Sequence, residues 1–280
     1  SSFSEIIMKI SVLMSVYEND DPNYFRNGVE SIINQTMLPN EIVLVIDGYI
    51  NNKLEIIIDD FVINYPKLFT IIKLEKNVGL SLAMAKGLPK CKNEIVARMD
   101  ADDISIPQRF EIQSTYLNDN PDVSCVGSSY AQYDNELKKY IGSRKLPFGG
   151  IELISFSKLR TPINHATIMF KKSVVLSIGG YPPIKHPFED WWLANALIKN
   201  DYKVVNLEMD LVKVRGGKSF IQRRHGIKYA IIEMKNLGSM YQNGLIDFFS
   251  LIKNIFIRFP VRILPLKLSN KIYSLLRIKN

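Results

Sequence analysis

Residues 94–110 read EIVARMDADDISIPQRF. Glu94 to Met99 is a short, largely apolar run, the pattern of a strand buried on both faces. It runs directly into Asp100-Ala101-Asp102-Asp103, and Pro107 then opens a helix through Leu117. Three carboxylates within four residues repel one another unless a cation offsets them. Hard cations such as Mg²⁺ or Mn²⁺ prefer oxygen ligands, usually one or two carboxylates plus phosphate oxygens. The plainer alternative is a solvated acidic turn leading into the Pro107 helix.

Working outward, the same alternation recurs. Lys9–Tyr17 (KISVLMSVY), Glu41–Ile46 (EIVLVI) and Phe69–Leu74 read as further strands. Between them lie helices at Tyr24–Gln35, with Phe25, Val29, Ile32 and Ile33 at helical spacing, at Leu54–Tyr65, and at Ser81–Leu88, with Ser81 a candidate cap. Strands alternating with helices predict an α/β domain: a Rossmann-like, mostly parallel central sheet with helices on both faces. Ligands bind such sheets beyond the carboxyl ends of the strands. Four loops fall there: Ser15-Val16-Tyr17, Asp47-Gly48, Asn77-Val78-Gly79 and Asp100–Asp103. Further on, strands are expected at Val123–Tyr133, Asn164–Phe170, Lys203–Leu207 and Leu211–Val214. Helices are expected at Lys172–Ser177 and Phe188–Lys199.

Composition narrows the classes. The chain has 280 residues, enough for a substantial core, and its 46% hydrophobic and 23% charged residues exclude a disordered chain. Two cysteines, Cys91 and Cys125, exclude a disulfide scaffold and a four-cysteine zinc module. No uncharged apolar run reaches the roughly 18 residues of a membrane span. Residues 1–7 lack a basic start and an apolar signal core, so Met8 is a candidate natural start and the expected location is cytoplasmic. Neither GxGxxG nor GxxxxGK[ST] occurs, which argues against a dinucleotide site and a P-loop. His165, His186 and His225 stand in no catalytic or metal-ligand spacing.

Net charge is +8, and residues 248–280 hold seven basic residues and no acidic one. The body is thus near neutral, which argues against nucleic acid as a partner. This tail (Lys253, Arg258, Arg262, Lys267, Lys271, Arg277, Lys279) interleaves with Phe248, Phe249, Ile252, Ile255, Phe256 and Phe259, and Pro260 and Pro265 are expected to break it into short helices. It reads either as a helix packed on the body or as an amphipathic segment on an anionic leaflet.

Other residues have two readings. Asp47 is a turn residue or a carboxylate for a base or ribose. Gly79 permits close backbone approach or ends a strand. Glu189-Asp190 are either acids favoured at a helix start or the site of a general base. Of Trp191 and Trp192, one is expected in the core, and an aromatic face beside a carboxylate suits a sugar ring. Arg223-Arg224, following Gly216-Gly217 and Lys218, form a solvated surface or a loop that closes over a diphosphate.

Together these residues resemble the family 2 glycosyltransferases of GT-A fold. The resemblance rests on SVLMSVYEND from Ser11, Asp47, Asn77-Val78-Gly79, ARMDADDISIPQRF, the Gly179-Gly180-Tyr181 turn and FEDWWL from Phe188. It covers about residues 8–225 and is similar to bacterial O-antigen and exopolysaccharide transferases of the amylovoran type. It implies inverting transfer from a nucleotide sugar, most often a UDP-sugar, with Mn²⁺ or Mg²⁺. It implies that Ser15, Val16, Tyr17 and Glu18 line the nucleotide pocket with Asn77 and Gly79, and that Asp47 holds the uracil or ribose. Asp100, with Ala101, would approach the ribose, Asp102 would bind the metal, Asp190 would be the base and Glu189 its orienting neighbour. The QxxRW motif of processive members is absent: Gln222 is followed by Arg223-Arg224-His225. Transfer of one sugar to a lipid-linked saccharide at the inner face of the cytoplasmic membrane is therefore expected. Residues 1–110 would bind the donor, 111–225 the acceptor, and 226–280 form the basic helical tail. A sugar-phosphate nucleotidyltransferase is the competing reading, but Tyr17-Glu18-Asn19-Asp20 lacks that class's Gly-rich basic loop.

Overall fold

The computed structural model describes residues 8–184, 187–216 and 225–264. Its centre is a nine-stranded sheet. Strands β1 (Ile10–Val16), β2 (Glu41–Ile46), β3 (Phe69–Lys73) and β4 (Ile95–Arg98) form the amino-terminal half, all parallel, in the order β3-β2-β1-β4. All six residues of β2 are buried, as its unbroken apolar run requires.

The second half is mixed. It contains β5 (Ile104–Ser105), β6 (Val123–Tyr133), β7 (Tyr140–Arg144), β8 (Met169–Lys171) and β9 (Lys203–Arg215). The order continues β4-β8-β6-β9-β5, with β7 on β6. Strand β8 runs antiparallel to both β4 and β6, whereas β9 runs parallel to β6.

Three sequence expectations change here. Lys203–Leu207 and Leu211–Val214 are one strand. Its pairing with β6 steps from Ser128–Leu207 to Ser129–Asp210, so Glu208 and Met209 bulge out and interrupt the alternation. Asn164–Phe170 is not all strand: His165–Thr167 form a 3₁₀ turn before β8. Ser81 is not a cap. Its hydroxyl donates to the Pro182 carbonyl at 2.5 Å, and the cap position belongs to Gly79.

Helices cover both faces. Helix α1 (Pro22–Ile33) is capped by Asp21, which accepts from the Asn23 and Tyr24 amides, and α2 (Asn52–Asn64) by Asn51. With α3 (Leu80–Gly87), α4 (Arg109–Asp119), α5 (Gly150–Ser157), α6 (Lys172–Ser177) and α7 (Glu189–Lys199) they enclose two cores. One, with Val12, Met14, Phe25, Ile32, Leu44 and Phe110, lies under α1, α2 and α4. The other, with Leu13, Val45, Met84, Leu153, Leu193 and Leu197, lies under α3, α5 and α7. Cys91 and Cys125 are buried free thiols.

A third core, Phe188, Trp191, Leu237, Met240 and Ile246, joins α7 to α8 (Ile227–Gln242) and α9 (Phe248–Ile263). The tail differs from expectation in one way. Pro260 does not break α9, because it sits on the exposed side of the last turn, where solvent can replace the bond it forgoes. Of the two readings of the tail, packing on the body holds for Arg258 and Arg262: both pair with buried Glu233 of α8, at 2.9 and 2.7 Å. The Arg258 guanidinium also donates to the Leu159 carbonyl at 2.7 Å and lies 4.9 Å from the Trp191 ring centroid. Pro265 and the basic residues beyond Ile263 fall outside the described residues.

Burial would raise the Glu233 carboxyl, but Arg262 and Arg258 outweigh it and hold it below its ordinary value. Its stabilising contribution is present at neutral pH and is lost as pH falls through that lowered value. Glu233→Ala leaves two largely buried guanidiniums without their counter-charge, so unfolding free energy should fall by about 3–5 kcal/mol. Denaturant unfolding checks this, and a change below about 1 kcal/mol, the range of surface pairs, would contradict it.

Candidate functional site

The carboxyl ends of β1, β2 and β4 lie side by side, and their loops meet there. Ser15 and buried Val16 end β1, Tyr17 and Glu18 are exposed just beyond it, and the Asp47 amide donates to the Val16 carbonyl at 2.9 Å. The Asp47 side chain is buried, accepting from the Val78 amide at 2.7 Å and the Gly79 amide at 3.0 Å. The Asn77 side-chain amide donates back to the Asp47 carbonyl at 3.3 Å. Thus Asp47 ties the loop after β2 to the loop after β3. Gly48 (φ +86°) makes this possible: a Cβ there would sit 2.5 Å from the Asn77 nitrogen.

Beside this unit stands the acidic turn. Gly28 of α1 packs so closely on it that a Cβ would lie 2.6 Å from the oxygen of buried Ala101. Asp103 is buried and accepts from the Arg215 amide at 3.1 Å, while Arg215 Nε donates to the Asp102 carbonyl at 2.6 Å. The Arg215 guanidinium lies 3.9 Å from the Tyr24 ring centroid. The backbone of the turn is therefore gripped from β9, and the side chains of Asp100 and Asp102 are half-buried. The cluster has a basic neighbour besides Arg215. Arg98 Nη2 donates to Asp100 Oδ1 at 2.6 Å.

Sequence reading passed over Asp20. Its carboxylate accepts from the Tyr17 amide at 2.9 Å. Burial, partly offset by that amide, and then the charges of Asp102 and Asp100 push its carboxyl up to about 7. Burial and Asp100 also raise Asp102, and burial with Asp100 and Asp102 raises Asp103 further. Carboxyls held up by burial and by one another's charge are stabilised in ionised form by a cation. No three metal-ligating side chains converge among the described residues. One or two carboxylates that share a hard cation with a ligand's phosphates is the arrangement this donor set fits.

The start of α7 supplies the second acid pair. Glu189 is buried, and its Oε2 accepts from the Phe188 amide at 3.1 Å. Asp190 is half-buried, and its Oδ1 accepts from the Trp191 amide at 2.7 Å. Trp191 is the core tryptophan: its indole N–H donates to the Ser157 carbonyl at 2.6 Å. His165 is a buried partner of the Tyr181 hydroxyl at 3.0 Å. Arg98 and Tyr181 join the acid groups electrostatically: Asp100, Tyr181 and Glu189 all act on Arg98. The fold thus brings Asp20 within electrostatic reach of Asp100 and Asp102, and Arg98 within reach of Asp100, Tyr181 and Glu189, while Asp190 acts on Tyr181; the Asp47 unit adjoins. Arg223 and Arg224 lie outside the described residues.

The missed residues had weak signals. Arg98 is a lone charge in a buried strand, which demands a partner. Asp20 follows a strand end in a loop already rich in acid. Arg215 is indistinguishable in sequence from any strand-end arginine.

The family model described as Glycosyl transferase family 2 matches residues 11–176. An uncharacterized glycosyltransferase of Haemophilus influenzae is 34% identical over 95% of this chain and 98% of its own. The Escherichia coli UDP-Gal:alpha-D-GlcNAc-diphosphoundecaprenol beta-1,3-galactosyltransferase is 34% identical over 95% of each chain. The amylovoran biosynthesis glycosyltransferase AmsE of Erwinia amylovora is 32% identical over 94% of this chain and 97% of its own. Among solved structures, the Pyrobaculum calidifontis mannosyltransferase PcManGT, in complex with GDP-Man and Mn²⁺, superposes with a TM-score of 0.64 at 15% identity. The match covers 84% of this chain and 64% of that one, a little under two thirds of its length. Staphylococcus aureus TarS 1-349, in complex with UDP-GlcNAc, gives 0.63 at 14% identity, over 84% and 67%. These distant structures establish the GT-A fold, and the sequence matches establish that the chain is a glycosyltransferase belonging to glycosyl transferase family 2.

Proposed function

We propose that the protein transfers one sugar, with inversion, from a UDP-sugar to a hydroxyl of a polyprenyl-diphosphate-linked saccharide in bacterial surface polysaccharide synthesis. The observation that carries this is the presence of two separate acid groups, Asp100–Asp102 at the end of β4 and Glu189-Asp190 at the start of α7, with Arg98 paired to Asp100 and within electrostatic reach of Glu189. Residues 1–110 bind the donor. Asp47 shapes the Asn77–Gly79 wall of the uridine pocket, Ser15–Glu18 line it, and Asp100 with Ala101 meets the ribose. Asp102 holds Mg²⁺ or Mn²⁺, which when bound offsets the charge of the departing diphosphate. Residues 111–225 receive the acceptor, and Arg223 and Arg224 are assigned to the diphosphate.

Asp190 takes the proton of the acceptor hydroxyl. The oxygen attacks the anomeric carbon opposite the UDP, and the electrons of the breaking C–O bond leave with UDP. Only one base is required, whereas retention through a covalent intermediate would need a second carboxylate close to the same ring. The galactosyltransferase relative's diphosphoundecaprenol acceptor supports a lipid-linked acceptor here. Release of UDP from UDP-sugars in Mn²⁺ against chelator tests the reading. Equal release under both conditions would contradict metal dependence, and no release from any UDP-sugar would contradict the donor class.

The acceptor's lipid places the enzyme at the inner leaflet, and α9 is suited to it. No described helix is long and apolar enough to cross a membrane. Yet α9 exposes Phe248, Phe249, Ile252, Phe256, Ile257 and Ile263, with Phe249 at 84% and Phe256 at 75%. Its inner face meanwhile holds Trp191 through Arg258. Because the inner face belongs to the body, removing the tail would disturb the core, and surface substitution is the cleaner test. Phe249→Glu with Phe256→Glu should release the protein from anionic vesicles with little change in stability. Unaltered sedimentation with vesicles would contradict the assignment.

A further inference from the structure

Helix α7 begins without a side-chain cap. Phe188 holds the cap position, and its ring offers no acceptor to the first amides. The acid pair is tied instead to the main chain on either side of it. Glu189 Oε2 accepts from the Phe188 amide at 3.1 Å, and Asp190 Oδ1 accepts from the Trp191 amide at 2.7 Å. The aim of both carboxylates therefore depends on what holds Phe188 and Trp191.

Both are held from the tail. The Arg258 guanidinium of α9 lies 5.7 Å from the Phe188 ring centroid and 4.9 Å from that of Trp191, and the two rings meet edge to face at 4.9 Å. The guanidinium is itself fixed, because all three of its nitrogens are engaged. Nε donates to Asn254 Oδ1 at 3.0 Å, Nη1 to Glu233 Oε1 at 2.9 Å and Nη2 to the Leu159 carbonyl at 2.7 Å. The segment that receives Arg258 also receives α7. The successive carbonyls of Ser157, Lys158 and Leu159 accept from the Trp191 indole at 2.6 Å, from the Asn254 side-chain amide at 3.0 Å and from Arg258. Arg262, one turn further along α9, shares Glu233 but lies against the Tyr229 ring of α8, at 5.0 Å.

We propose that Arg258 is a positioning residue of the transfer reaction: from the tail helix it fixes Phe188 and Trp191, whose amides orient the Glu189 and Asp190 carboxylates. The inference rests on the reading of this pair as the site of the base. Arg258 acts through these two residues, not on substrate. Helix α9 thereby belongs to the framework of the reaction as well as to the membrane face proposed above. A lysine keeps a charge for Glu233, but its single ammonium cannot lie flat against two rings while serving three acceptors. The fold should tolerate that exchange, since Arg262 still donates to both Glu233 oxygens, at 2.7 and 2.9 Å.

The test compares Arg258→Lys with Arg262→Lys in the full chain. Both loosen the same ion cluster, and among the described contacts Arg258 is the one that lies against the α7 rings. Hydrogen exchange of the Phe188 and Trp191 amides, followed by NMR with ¹⁵N-phenylalanine and ¹⁵N-tryptophan, needs no substrate. It should quicken about tenfold in Arg258→Lys, the scale of a lost cation–π contact at a desolvated site, and stay near the wild-type rate in Arg262→Lys. With the UDP-sugar that the wild-type chain uses fastest, kcat of Arg258→Lys should fall about a hundredfold, the scale of a small misplacement of reacting groups. Donor KM and UDP affinity should stay unchanged. Phe188→Leu removes one ring and leaves the Glu233 cluster intact, so it should lower kcat in the same way, and it replaces Arg258→Lys if that variant does not fold. In an Asp190→Asn background Arg258→Lys should cost little further, since residues acting as a unit are non-additive. Wild-type exchange in Arg258→Lys, or equal changes in the two arginine variants, would overturn the proposal. No turnover of any UDP-sugar by the wild-type chain would overturn the transfer reading instead, and the exchange rates tell the two failures apart.

Discussion

Asp190→Asn will remove most transfer activity while UDP binding stays at the wild-type level. A positioned base contributes about 10²- to 10⁴-fold, and kcat should fall within that range. The substitution is nearly isosteric. The oxygen that accepts from the Trp191 amide survives in asparagine, so the local turn is retained. Asp190 is also the less buried of its pair, whereas Glu189 is 3% exposed and engaged with the Phe188 amide. On the proposed reading the half-exposed member meets the substrate hydroxyl and the buried member orients it. An active Asp190→Asn enzyme beside a dead Glu189→Gln enzyme would move the base to Glu189.

Asp102→Ala will abolish the metal-dependent part of UDP binding. A metal on a diphosphate contributes several kcal/mol, so affinity in Mn²⁺ should fall about 10²-fold or more at about 1.4 kcal/mol per decade. The fold should tolerate the change. Arg215 grips the Asp102 carbonyl, not its carboxylate, and burial and Asp100 already disfavour the charged side chain. Removing it relieves repulsion, so Tm should hold or rise. Unchanged UDP affinity in Mn²⁺, or a lowered Tm, would contradict this account of the turn.

What could be read in advance followed from local physics. The strands at Glu41–Ile46 and Val123–Tyr133 and the helix at Lys172–Ser177 match the structure at both ends, because unbroken apolar runs and helical spacing are properties of neighbours in sequence. The acidic turn was legible because three carboxylates in four residues need an explanation on any fold. Long-range matters were not legible. The antiparallel insertion of β8 between β4 and β6 depends on which edges remain open once the parallel half has formed. Helix α8 was legible only as part of a helical tail, and the choice between its two readings was not, because the partner of Arg258 and Arg262, Glu233, lies 25 and 29 residues upstream. Asp47 looked like a turn residue or a ligand residue. In the structure it holds the neighbouring loop, a contact across 31 and 32 residues that its own Asp-Gly context cannot reveal. Asp20 was missed for the same reason, since it matters through Asp100 and Asp102, some eighty positions away.

The most direct measurement is transfer itself. A panel of UDP-sugars with Mn²⁺ and a synthetic saccharide-diphosphate-lipid acceptor, read by mass spectrometry, should give one product whose mass rises by a single sugar, with an equal amount of UDP. Chelator and Asp102→Ala should each suppress it. No mass gain with any UDP-sugar, or a ladder of successive additions, would contradict the assignment of this chain as a single-sugar transferase acting on lipid-linked acceptors.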